Sequence, residues 1–346
     1  MRSLYTVLIL LGCCSLLSAA PSAHAQAPLF AADDVIRFTL EADFSALLDD
    51  RGEDNPERPA ILTLPIADGA AVELDVQLRT RGNFRLKKAT CQFPPLRLNV
   101  KKKQVKGTVF EGQDKLKMVN HCNTRRDEFQ QYVLHEYLVY RAFNQLTDYS
   151  FRVRLAEVTY RDTAGDMDEI TRYAFLIEDE DAMAERLGGI VQDVQGVPQI
   201  GTQRDQMLRV AVFQYMIGNT DWAVSAQHNI KLLFADPPNT PYVIPYDFDW
   251  SGIVSTRYAR PRPELNLRTV RERLFLGLCR PAEDFEPIVA LFNDQREAIY
   301  ALFDTFELLD TKRRRKTRAY LDDFYAVIND RRDLELDFVY NCRDID

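Results

Sequence analysis

Apolar and polar residues alternate along several short stretches of the first half of the chain. Val72, Leu74, Val76 and Leu78 share one face of residues 72–81, and Leu96, Leu98 and Val100 share one face of 95–100. This period of two predicts strands with one face against a core. Stretches 35–42, 60–65, 114–119, 152–161 and 170–178 predict further strands, the last two joined by a turn at Gly165. Within 114–119 the alternation sets Lys115 and Lys117 together, opposite Leu116 and Met118.

Helical spacing appears between and after these strands. Short helices are expected at 44–48 and 179–187. A longer one at 127–146 carries Phe129, Val133, Tyr137, Tyr140 and Phe143 as a broad apolar stripe. Beyond residue 190 the pattern predicts helices at 202–217, 265–279, 284–306 and 311–329. A hairpin interrupts them, with Ile230 to Phe234 and Tyr242 to Ile244 as arms and Asp236-Pro237-Pro238-Asn239 as the turn. The reading is an α+β protein of two lobes. Residues 26–189 form a strand-rich N-terminal lobe and 190–346 a mainly helical C-terminal lobe, with the cleft between them as the expected site.

Composition adds a compartment and a charge pattern. Residues 1–25 read as a signal peptide: a basic start at Arg2, an apolar core from Leu4 to Leu17, and Ala23-His24-Ala25 before Gln26. A lipoprotein site at Leu11-Gly12-Cys13 would leave too short an apolar core. The protein is therefore expected to be exported, to a periplasmic or extracellular space. No later stretch reaches the roughly 18 apolar residues of a membrane span. Cys91, Cys122, Cys279 and Cys342 remain after the signal, and four cysteines allow three pairings. Cys91–Cys122 with Cys279–Cys342 is the most local of them, and no CxxC spacing supports the rival zinc site.

The net charge is −8 over 346 residues, yet residues 79–106 hold ten Lys and Arg and no acid. Such a segment can attract an anionic, phosphate-bearing partner, while the basic run 312–318 reads as a solvated helix face. No nucleic-acid partner is expected.

The chemistry concentrates in residues 218–252. Asp221 follows a helix, Asn229 opens a strand, and Asp247 and Asp249 end the hairpin, with Gly252 beyond. Protein kinases use this order: an Asp that holds the acceptor hydroxyl, then an Asn and a second Asp that hold magnesium over the phosphates. On that reading Asp221 is catalytic, and Asn229, Asp247 and Asp249 hold the metal.

The stretch resembles the CotH-type kinases, whose pattern runs N-x-D, an Asn before a strand, then I-P-W-D-x-D. Here Asn219-Thr220-Asp221, His228-Asn229 and Ile244-Pro245-Tyr246-Asp247-Phe248-Asp249 stand in those places. Upstream, Arg81-Gly82-Asn83-Phe84-Arg85 with Lys87-Lys88 is similar to that family's G-N-S-S-R and Lys-rich stretch. Tyr173 to Glu178 is similar to its strand ending in L-x-E. The resemblance implies a protein-kinase-like fold, ATP as donor, Mg²⁺ or Mn²⁺ as cofactor, and a protein or envelope acceptor. Asp221 and Asn229 stand eight positions apart, against five in most kinases, so 223–227 must bulge.

The chain has no G-x-G-x-x-G loop. Nucleotide phosphates would instead be met by Arg81, Arg85, Lys87 and Lys88, or by Lys115 and Lys117, with Glu136 pairing Lys117. Two other classes stand beside phosphate transfer: a non-catalytic kinase-like module that binds an anionic envelope ligand or protein partner, and a calcium-stabilised structural protein. Trp222, His228, His121 and His135 read as structural.

Overall fold

The computed structural model describes residues 28–52, 55–65, 70–235 and 240–342. The expected signal peptide and the hairpin turn at 236–239 lie outside the described residues.

The two-lobed, protein-kinase-like architecture is not what the strands build. Seven of them close into a mixed barrel, ordered β1-β2-β3-β4-β5-β7-β6, accompanied by eight helices among the described residues. The strands are β1 (Ile36–Ala42), β2 (Arg58–Pro65), β3 (Ala71–Thr80), β4 (Leu96–Val100), β5 (Lys115–Val119), β6 (Val153–Asp162) and β7 (Ile170–Ile177). Closure comes from β1 running parallel to β6, from Ile36 against Ala156 to Ala42 against Asp162. A closed sheet has no free edge, which removes the liability of unpaired strand amides.

Alternation decides which core each side chain joins. Leu62, Leu78, Leu98, Leu116, Ala156, Val158 and Leu176 fill the barrel. The opposite faces of β6 and β7, through Val153, Leu155, Phe175 and Ile177, join a second core outside the wall. That core is built on α2 (Asp127–Asn144), α4 (Arg204–Ile217) and α7 (Thr311–Asn329). The remaining helices are α1 (Phe44–Asp49), α3 (Glu180–Arg186), α5 (Glu286–Asp294), α6 (Arg296–Asp304) and α8 (Arg331–Leu334).

A second sheet orders β10-β9-β8, with β8 at Gly189–Val191, β9 at Ile230–Ala235 and β10 at Tyr242–Pro245. The sequence boundary near 190 thus falls inside β8, a strand the pattern did not announce. Gly189 is needed there, because an added Cβ would sit 2.6 Å from the carbonyl oxygen of Phe234.

One expected helix is absent. After a 3-10 turn at Pro263–Leu265, Asn266 adopts a left-handed conformation and residues 267–281 run irregularly. Tertiary contacts outweigh helical spacing here. Arg271 donates to the carbonyl of Gly252, and Arg273 to those of Tyr215 and Met216.

The structure contains disulfides Cys91–Cys122 and Cys279–Cys342, with Cα atoms 4.8 and 5.2 Å apart. The first ties the loop that follows β3 to the end of β5. Among the described residues, no helix is long and apolar enough to cross a membrane.

Candidate functional site

Helix α4 stops at Gly218, which takes a left-handed conformation with φ 65°. The chain then folds back through side-chain bonds. Asn219 Oδ1 accepts from the amide of Asp221 at 3.0 Å, and Asn219 Nδ2 donates to Gln214 Oε1.

Residues 223–228 form the bulge that the spacing demands. Ala223 and His228 exchange backbone hydrogen bonds of 3.0 and 2.9 Å, pinching off the intervening loop. Asn229 is thereby returned to Asp221. Its Nδ2 donates to the Asp221 carbonyl at 2.8 Å and to Oδ2 at 3.0 Å. The other carboxylate oxygen lies 2.9 Å from His228 Nε2. The His228 ring is half exposed at 52 %, and its pKa is raised, chiefly by the bond to Asp221.

The hairpin delivers the second group. Tyr246 donates its amide to the Asn229 carbonyl at 3.1 Å, and the next residue, Asp247, stands in the left-handed region with φ 61°. Asn229 does the same with φ 53°. Such conformations in non-glycine residues are strained and persist where the surroundings fix them. Helix α2 supplies part of that fixing, since Tyr140 Oη accepts the Asp247 amide at 2.8 Å.

One turn earlier on the same helix face stands Glu136, 2 % exposed, with Oε1 buried and unpartnered. Arg85 lies among three carboxylates: 2.8 Å from Asp247, 3.5 Å from Asp249 and 3.8 Å from Glu136. Burial by itself would lower the Arg85 pKa, but Asp249 and Asp247 outweigh it and hold it well above the ordinary value. Asp249 is buried, accepts from Tyr258 Oη at 2.8 Å, and has its carboxyl pushed up to about 6, mainly by burial. Burial likewise raises Glu136 well above the carboxylate range.

The basic side is Arg81, Lys117 and Lys231. Arg81 and Lys117 line a small cavity together with Tyr140, Phe151, Tyr246 and Asp247. Burial lowers the pKa of both. Lys117 lies 3.6 Å from Glu180 and over the Tyr246 ring. The expected Lys117–Glu136 pair is not made, because Arg85 occupies Glu136. Lys115 shares the Lys117 face as its alternation implied, but is exposed. Lys88 pairs with Asp49.

The structure therefore gathers Asp221, Asn229, Asp247, Asp249, Arg85 and Glu136 around one centre, with Arg81 and Lys117 beside Asp247. His228, set aside as structural, sits against Asp221. Its place next to Asn229 was the only signal in the sequence. Among the described residues no group of three or more His, Cys, Asp or Glu is placed to hold a metal by itself. Asp249 is engaged by Arg85 and Tyr258. Asp247 also gives Oδ1 to Arg85, but its side chain is 39 % exposed, and its second oxygen and the amide oxygen of Asn229 remain as hard donors. That small set suits magnesium, which is ordinarily held by one or two carboxylates together with substrate phosphates. No family model and no curated protein matches the chain.

Proposed function

We propose that the protein is an exported phosphotransferase that moves a phosphoryl group from a nucleotide to a hydroxyl of a protein or envelope acceptor. The observation that carries the reading is the placement of an oriented carboxylate, Asp221, near an exposed one, Asp247, with Arg81 and Lys117 across the cavity. Phosphoryl transfer needs a proton acceptor, an anchor for the metal and cations for the phosphate oxygens. The likeness of residues 219–249 to the CotH-type motif supports the same chemistry.

Asp221 accepts the proton of the acceptor hydroxyl as its oxygen bonds to phosphorus and the bond to the diphosphate breaks. His228 and Asn229 hold the carboxylate in place, and the exposed imidazole relays the proton outward. Arg81 and Lys117 face the phosphates. Asp247 and Asn229 would hold Mg²⁺ or Mn²⁺, which when bound offsets phosphate charge.

The roles separate by mutation. Asp247→Ala should abolish metal-dependent nucleotide binding in calorimetry, whereas Asp221→Ala should bind normally and lose transfer of labelled phosphate. Full transfer by Asp221→Ala would remove the proposed base.

A second reading is favoured by one contact. The Arg85 guanidinium already neutralises part of the acidic centre, as a site without catalysis would require. In that case the basic groups hold an anionic envelope ligand, and no nucleotide is consumed.

A further inference from the structure

The acidic motif is followed at once by a basic segment. Residues 251–273 carry Arg257, Arg260, Arg262, Arg268, Arg271 and Arg273 against two acids, Glu264 and Glu272, in a chain of net charge −8. Glu272 Oε1 is taken by the amides of Arg268 and Thr269, at 3.2 and 3.1 Å. Glu264 is 65 % exposed and lies 3.8 Å from Arg262, beyond hydrogen-bond distance. Arg271 and Arg273 donate to backbone carbonyls. Arg257, Arg260 and Arg262, before the 3-10 turn at Pro263–Leu265, are left without a close acid among the described residues.

This loop is tied to the site at both ends. Asp249 accepts from Tyr258 Oη at 2.8 Å, and its carbonyl accepts from Thr256 Oγ1 at 3.1 Å. At the other end Arg262 is near enough to His228 to oppose the rise in its pKa, and His228 holds Asp221. The Arg257 guanidinium is exposed and makes no hydrogen bond or ion pair among the described residues. Arg260 Nη1 donates only to the carbonyls of Arg257 and Ala259, and Arg262 Nε is buried without a partner. A guanidinium left so gains most from a carboxylate brought from outside. Several exposed arginines elsewhere already have one: Arg37 meets Glu157, and Arg161 meets Glu41 and Glu169.

We infer that residues 257–262 dock the acceptor, and that the acceptor is a protein segment whose reacting hydroxyl is flanked by Asp or Glu. The order Arg260-Pro261-Arg262-Pro263 keeps both arginines out of the helical region, because each precedes a proline. Arg262 accordingly has φ −63° and ψ 130°. Such backbone rises about 3.1 Å per residue, which sets the two arginines roughly 6 Å apart, close to the spacing of alternate side chains on an extended peptide. The prolines also stiffen the loop, so little order is lost on docking. Beside it Phe84 and Trp250 meet edge to face at 5.1 Å, with Phe84 36 % exposed, and offer apolar surface to the residues between the acids. The role given to the hydroxyl rests on the proposed transfer reaction, but the docking needs neither metal nor nucleotide.

The test uses three dye-labelled peptides of one length, each with a single central Ser flanked on both sides by Glu, by Gln or by Lys. Fluorescence anisotropy with the full protein, without metal or nucleotide, reads docking, and labelled phosphate from ATP with Mn²⁺ reads transfer. The Glu peptide should bind at least about tenfold tighter than the Gln peptide, and the gap should close as salt is added. Arg257→Gln/Arg260→Gln should narrow the gap at least about threefold and leave the Gln peptide unchanged. Neither side chain holds an ion pair, so this variant should fold, which a thermal melt checks. Arg262→Glu should turn the preference toward the Lys peptide, a reversal that mere loss of structure would not produce. Asp247→Ala should keep the preference for the Glu peptide. Selective docking without phosphate incorporation supports this inference and ends the transfer reading. Equal binding of the Glu and Gln peptides, even with both phosphorylated, overturns this inference and leaves transfer standing. A double variant that keeps the full gap overturns it as well.

Discussion

Arg85 is the residue on which the acidic centre depends. Its guanidinium is the cation nearest to Glu136, Asp247 and Asp249 together, and two of those carboxylates are buried. Removing one partner of a buried ion pair leaves uncompensated charge and costs about 3–5 kcal/mol. Arg85→Gln should therefore lower the free energy of unfolding by that order in urea titration, and an unchanged midpoint would show that the carboxylates are neutral without it.

Asp249 gives a pH signature. Its carboxyl is raised from 3.8 to about 6, with burial the main cause, Arg85 opposing it and Asp247 adding to it. The folded protein thus keeps this proton after the unfolded chain has lost it. The contribution to stability is full below pH 3.8 and is lost as pH rises through about 6. Asp249→Asn should flatten the stability profile over that window, measured by urea titration at intervals from pH 4 to 7. At this scale the sequence showed which acids would gather, because strand ends and a hairpin define where they point. It did not show Arg85 inside the cluster, since a basic run reads the same whether its members face solvent or carboxylates.

Among elements, the barrel strands and the helices α2, α4 and α7 were legible because each buries one face and so repeats at 2 or 3.6 residues. The segment 265–279 has helical spacing and no helix, because Arg271 and Arg273 are drawn to carbonyls at the end of α4 and in the chain beyond it. The loop carrying Arg81 and Arg85 is held by Cys91–Cys122, which spans 31 residues. Replacing both cysteines by serine should cost roughly 3–4 kcal/mol by loop-closure entropy and loosen the site that the loop carries. Chemical denaturation with parallel ligand titration would register both effects.

The turn after α4 makes a sharper demand. A Cβ on Gly218 would fall 2.0 Å from Tyr320 Oη, in a backbone conformation that other residues resist. Gly218→Ala should displace the Asn219–Asp221 turn and destabilise the fold by at least about 1 kcal/mol. In β4, Arg97 stands in register between Arg79 and Lys117, so Arg97→Gln should do the reverse and raise stability by about 0.2–1 kcal/mol in thermal unfolding.

For the whole molecule, the chain showed which segments were strands but not how they join. The parallel pairing of β1 with β6 links residues 120 positions apart, and alternation within either strand is the same in an open lobe or a closed barrel. The Lys117–Glu136 pair was expected from the two-lobed frame and falls with it. The convergence of Asp221, Asn229 and Asp247 was expected from local order alone and is what the structure places together.

The central claim is that these groups handle a metal-bound phosphate, and calorimetric titration of ATP with Mn²⁺ into the wild-type protein and Asp247→Ala tests it most directly. Saturable, manganese-dependent binding by the wild type, lost in Asp247→Ala, is the predicted result. Absence of any manganese-dependent binding, or a manganese-dependent part that survives Asp247→Ala unchanged, would contradict the account.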